Sequence, residues 1–93
     1  MQAQNLISVR GLQSIQAEES EIPGQAFVVM TDISTYRFGK ANEKGERFVF
    51  RDEEPLHFSR CRIVELEPGK EMILECLDSD IRRWYSRPVH SFF

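Results

Sequence analysis

Cys61-Arg62-Ile63-Val64-Glu65-Leu66-Glu67-Pro68-Gly69-Lys70-Glu71-Met72-Ile73-Leu74-Glu75-Cys76-Leu77-Asp78-Ser79-Asp80-Ile81-Arg82-Arg83-Trp84-Tyr85 holds two turn signals between three apolar-rich runs. Pro68-Gly69 punctuates the first junction and Asp78-Ser79-Asp80 the second. If Pro68-Gly69 is a hairpin tip, Cys61 faces Cys76, Ile63 faces Leu74 and Val64 faces Ile73. The same register sets Arg62 against Glu75, an opposite-charge cross-strand pair. A Pro-Gly pair favours a type II turn, whose twist suits a tight hairpin poorly, so a bulge that shifts this register by one residue is an open alternative. A three-residue loop at 78–80 sets Leu77 against Ile81, Glu75 against Arg83 and Leu74 against Trp84. The three strands form a meander. One face carries Cys61, Ile63, Met72, Leu74, Cys76 and Trp84; the other carries Val64, Leu66, Ile73, Leu77, Ile81 and Tyr85. Two apolar faces imply a sheet that is sandwiched or curled into a barrel.

Upstream, Ala26 to Thr31 is an apolar run too short for a typical helix and reads as a buried strand. Thr35 to Ala41 and Glu46 to Asp52 flank Asn42-Glu43-Lys44-Gly45, a turn closed by a glycine with positive φ. Tyr36 and Phe38 share one face of their strand, and Phe48 and Phe50 share one face of theirs. If the register aligns them, four rings cover one side of the hairpin. The first segment is ambiguous. Leu6, Val9, Leu12 and Ile15 recur every three residues, as in a helical stripe, but Gly11 interrupts it at a cost of roughly 1 kcal/mol relative to Ala. The reading leans to extended chain, with a short N-terminal helix as the alternative.

The 93 residues fit one domain, 1–93, with a modest core. Hydrophobic content of 41% and charged content of 29% describe a folded globule rather than a disordered tail. The net charge of −3 lowers the expectation of a duplex binder, which needs a basic excess. No signal peptide or membrane-length apolar run is visible, so the expected location is the cytoplasm, with no membrane association.

Catalytic signatures are sparse. No Gly-rich phosphate loop, nucleophile elbow or HExxH motif occurs. Cys61 or Cys76 with a histidine is a nucleophile on paper, but a free Cys inside a strand usually packs as a small hydrophobe. A zinc site from His57, Cys61, Cys76 and His90 requires a sharp bend at 56–58, because four strand residues span roughly 13 Å. The opposed cysteines also raise a disulfide, which a cytoplasm disfavours. No cofactor is implied.

The aromatic hairpin is the main candidate surface. Tyr36, Phe38, Phe48 and Phe50 are interleaved with Arg37, Lys40, Arg47 and Arg51, and aromatic platforms edged by cations hold single strands. Arg47-Phe48-Val49-Phe50 resembles the second RNA-contacting strand of a cold-shock domain, although the Lys-Gly-Phe-Gly-Phe type of first motif and a later His are missing. The competing arrangement turns the rings into the core and the cations to solvent, as strict alternation favours. Asp32-Ile33-Ser34 is similar to the Asp-x-Ser element of PilZ barrels, but Arg37 stands where their glycine falls; an Asx-type turn explains it. Phe92-Phe93 either tucks against the sheet or marks a docking site, and Pro88 suggests a strand end or edge.

The expected fold is all-β: a small antiparallel barrel or sandwich of SH3-like or OB-like style. The expected function is an accessory protein-interaction module, with a protein partner or self-association as a homodimer, through an edge strand or Phe92-Phe93. The alternative is a single-stranded nucleic-acid binder using the aromatic hairpin.

Overall fold

The structure, a computed structural model, describes residues 24–93; the candidate helical or extended segment around 6–15 lies outside them. Six antiparallel strands follow in chain order: β1 (Phe27–Thr31), β2 (Thr35–Phe38), β3 (Glu46–Arg51), β4 (Arg60–Glu65), β5 (Glu71–Cys76) and β6 (Arg83–Phe92). Each pairs with its sequence neighbour, and β6 returns to pair with β1, closing a barrel. The all-β small barrel expected from the alternation is the observed architecture, with no helix among the described residues.

The C-terminal meander keeps most of its expected register. Cys61 opposes Cys76, Arg62 opposes Glu75 and Ile63 opposes Leu74. Leu74 opposes Trp84 and Glu75 opposes Arg83. The register then slips: Ile73 meets Glu65, not Val64, because Val64 is bulged out. The turn explains the slip. Lys70 N–H donates to the Glu67 carbonyl, and Gly69 has φ of 88°, the signature of a type II turn. Its twist does not match a tight hairpin, and one extra residue absorbs the mismatch. The bulge moves Leu66 from the outer face into the core, where it is almost fully buried. At the second turn, Leu77 N–H donates to the Arg60 carbonyl, so Leu77 is tied to β4 rather than set against Ile81.

Closure depends on β6, whose first half pairs with β5 and whose second half pairs with β1. Register shifts on both sides bend the strand around the barrel. Pro88 therefore marks neither an end nor an edge. It opposes Glu71 at one shift, where a missing N–H is tolerated, and the strand runs on to Phe92. Because both margins are paired, the described barrel has no open edge for a partner strand.

Val29, Tyr36, Phe38, Val49, Cys61, Leu66, Met72, Leu74 and Val89 fill the interior. Phe27 stacks on Phe38 with centroids 5.0 Å apart. Trp84 packs on Phe58 and donates from Nε1 to the Tyr36 hydroxyl at 3.3 Å.

Candidate functional site

The four-residue turn at 42–45 decides where the aromatic side chains go. Asn42 organises it: its Oδ1 accepts from the N–H groups of Lys44 and Glu46, and Gly45 has φ of 78°. The resulting register pairs Tyr36 with Arg51, Arg37 with Phe50 and Phe38 with Val49. Even-numbered residues of β2 thus share a face with odd-numbered residues of β3. Four rings cannot cover one side, and neither arrangement expected for the hairpin holds as a whole. Tyr36 and Phe38 are buried, while Phe48 and Phe50 are 66% and 59% exposed on the outer face.

The interior of β3 instead receives Arg47, Val49 and Arg51. Arg47 is buried, donates to the carbonyls of Gln25 and Gly39, and lies 5.0 Å from the Phe27 ring centroid. Burial lowers its pKa to about 10, which still leaves it charged at neutral pH. Arg51 sits over the rings of Trp84 and Tyr36 and donates to the Glu54 carbonyl. Both guanidiniums exchange water for carbonyl oxygens and ring faces, the partners that make a buried cation tolerable. Tyr36, Phe38, Arg47 and Arg51 are therefore structural and leave the candidate surface.

The outward half forms one connected face. Arg37 lies beside Phe50, and Arg60 of β4 lies beside Phe48 with its guanidinium 6.0 Å from the ring centroid. On the other side of Arg37, Val28 of β1 is its cross-strand partner. Val28 and Phe93 exchange both backbone hydrogen bonds, which brings the 70% exposed Phe93 into the same outer row. Phe92 points inward and meets Phe27 edge-on. The register between β2 and β3 thus splits the hairpin rings and strand alternation splits Phe92 from Phe93, and Phe93 is separated from Phe50 by Val28 and Arg37.

Arg60 and Val28 were not singled out in the sequence. The connection at 52–59 is too irregular to set a register, so only the ladder between β3 and β4 brings Arg60 to Phe48. Gly39 matters through absence of a side chain. Its N–H donates to the Phe48 carbonyl, and it leaves the β2 side of the Phe48 ring uncovered.

The face carries charges that are already paired. Arg37 holds Asp52 through three donor contacts of 2.9–3.1 Å, and Arg60 holds Glu46 at 2.7 Å. The Arg37 hydrogen bond lowers the Asp52 pKa; the Asn42 amide is the first cause of the lowered Glu46 pKa, ahead of Arg60 and Arg62. A ladder Glu46–Arg62–Glu75 continues around the barrel to Arg83.

The remaining candidates lie elsewhere. Cys61 and Cys76 are free thiols turned into the core, and burial pushes the Cys61 thiol up to about 12. His57 and His90 are exposed, and no group of three or more His, Cys, Asp or Glu is placed to hold a metal among the described residues. A cavity of about 440 Å³ beside the second turn is lined by Glu75, Asp80, Arg82 and Arg83 with Cys76 and Ser79. No helix among the described residues is long and apolar enough to cross a membrane.

No protein family, curated protein or solved structure matches this chain.

Proposed function

We propose that this barrel is an accessory protein-interaction module whose docking surface is the outer face around Phe48 and Phe50. The observation that carries the reading is the exposure of these two rings, 66% and 59%, on the outside of a barrel whose core is already filled. At roughly 200 Å² per ring, Phe48 and Phe50 leave on the order of 250 Å² of aromatic surface in water. The largest apolar patch on a small protein is often its binding site. Aromatic rings beside arginines are also the composition of interface hot spots.

Charge favours a protein partner over a nucleic acid. Arg37 and Arg60 already hold carboxylates, so a phosphate would have to displace Asp52 or Glu46. The chain as a whole carries −3. Binding rather than catalysis is further supported by the two thiols, which are held in the core and, for Cys61, far from the thiolate form.

The test is size-exclusion chromatography with light scattering on protein purified from its native host, at two salt concentrations, with Phe48→Ser/Phe50→Ser alongside. A polypeptide complex that is indifferent to salt and lost in the variant supports the reading. A species that carries nucleic acid at low salt and sheds it at high salt overturns it in favour of single-strand binding.

A further inference from the structure

We propose that Cys61 and Cys76 are a redox pair, which closes a cross-strand disulfide by exchange with a low-molecular-weight disulfide and so locks β4 to β5 beside the second turn. The two residues are directly opposed. Leu77 N–H donates to the Arg60 carbonyl, so Cys61 and Cys76, the next pair along the ladder, form a non-hydrogen-bonded pair. In such a pair the Cα atoms lie about 4.5 Å apart and the side chains are close, within the roughly 4.4–6.8 Å that bridged cysteines span. Both side chains belong to the core. The Val64 bulge falls beyond the Ile63–Leu74 pair and leaves the cysteines in register. The chain has two cysteines, so neither has another thiol within the molecule to pair with.

The surroundings give the two thiols different roles. Cys76 is 8% exposed and lines the cavity beside the second turn, next to Arg82 and Arg83, whereas Cys61 is 0% exposed. Cys76 is therefore the thiol that meets the small disulfide. It loses its proton to solvent, attacks one sulfur of the reagent and releases the other as a thiol, which leaves a mixed disulfide on Cys76. The Cys61 thiolate then attacks the Cys76 sulfur and releases the second small thiol. The protein thiols lose two electrons and two protons, and the reagent gains them as two thiols. Arg47 opposes Cys61 from β3, and its cation favours the Cys61 thiolate that the second step needs. Burial, then Asp78 and Glu75, raise the Cys76 pKa. Exchange is accordingly slow in the closed barrel and runs during folding or through opening of the turn at 77–82.

The fold supplies the driving force. Bridging the unfolded chain closes a loop of about 15 residues against its entropy, a cost that the paired strands have already met. Through the thermodynamic cycle, the folded chain is easier to oxidise than the unfolded one by the factor by which the bridge stabilises the fold. For an unstrained bridge across this loop that factor is on the order of 100. The Cα spacing is at the short end of the bridged range and reduces it, so the expected factor is at least about 10.

The reduced full chain, refolded to equilibrium in graded mixtures of oxidised and reduced glutathione and compared with the same mixtures in urea, tests the proposal. Acid-quenched mass spectrometry should show a monomer lighter by two hydrogens, and peptide mapping should join Cys61 to Cys76. The oxidation equilibrium should favour the folded chain over the unfolded one at least about 10-fold. The oxidised protein should unfold at a higher urea concentration than the reduced protein. Cys76→Ala, with its fold verified by Trp84 fluorescence, should abolish that difference. A ratio below about 10, glutathione adducts or linked dimers in place of the internal bridge, or a urea difference that persists in Cys76→Ala overturns the proposal.

Discussion

Phe38 and Phe48 are the same residue type on adjacent strands of one hairpin, yet their truncation should have opposite consequences. Phe38 is 3% exposed and stacks on Phe27, so Phe38→Ala removes a fully packed ring and should cost about 3–5 kcal/mol. Phe48 is 66% exposed, so only about a third of it has left water. With about 1.5–3 kcal/mol for full burial of such a side chain, Phe48→Ala should cost about 0.5–1 kcal/mol. A domain of this length is stable by roughly 5–14 kcal/mol, so the first change removes a large share and the second is small. Urea unfolding followed by fluorescence of the single tryptophan, Trp84, measures both. Trp84 packs on Phe58 in the folded state and reports the core directly. A cost above about 2 kcal/mol for Phe48→Ala would refute the register between β2 and β3, because a slip of one residue would put Phe48 on the same face as the buried Phe38 and make both truncations costly.

Other perturbations test separate parts of the structure. Asp78 accepts from the Ser59 hydroxyl and from the N–H groups of Ser59 and Arg60, and these bonds hold its carboxyl below the usual value. Asp32 and Asp52 are lowered by Arg87 and Arg37. Groups with depressed folded-state pKa values contribute stability above the unfolded value near 3.9 and lose it as pH falls through the folded value. Urea midpoints should therefore drop below about pH 4, and Asp78→Asn should flatten that drop; an unchanged slope in the variant would count against the Asp78 contacts. The buried thiols have the opposite linkage. The Cys61 pKa is raised by burial, so stability should decline as pH rises above the unfolded thiol value near 8.5 toward about 12. For the same reason a mild thiol reagent at pH 8 should leave the native protein unlabelled and modify both cysteines in urea; prompt labelling of the folded protein would contradict the placement of Cys61. Gly69 has φ of 88°, so Gly69→Ala should cost about 1–2 kcal/mol by urea unfolding. Gly39→Ala, outside the positive-φ region and at ordinary contact distance from Phe48, should be near neutral.

The sequence alone determined the elements that depend on local chemistry. Short alternating runs, the Asn42–Gly45 turn, Pro68-Gly69 and Asp78–Asp80 were enough for an antiparallel meander, and they set Arg62 against Glu75 and Leu74 against Trp84. Strand alternation also paired Tyr36 with Phe38 and Phe48 with Phe50. It could not say which pair faced the core, because alternation is a property of one strand and inside is a property of the closed sheet. The ladder between β2 and β3 decided that, opposing Tyr36 to Arg51 and sending Arg47 inward. The Val64 bulge likewise turned Leu66 into the core, a consequence of turn twist that the number of intervening residues does not reveal. Closure by β6 settled the remainder, pairing Val28 with Phe93 and leaving the described barrel without an open edge. The outer surface around Phe48 and Phe50, flanked by Arg37 of β2 and Arg60 of β4, is a non-local object. Its rings are legible in the sequence, but their shared exposure is set by backbone hydrogen bonds between residues far apart in the chain.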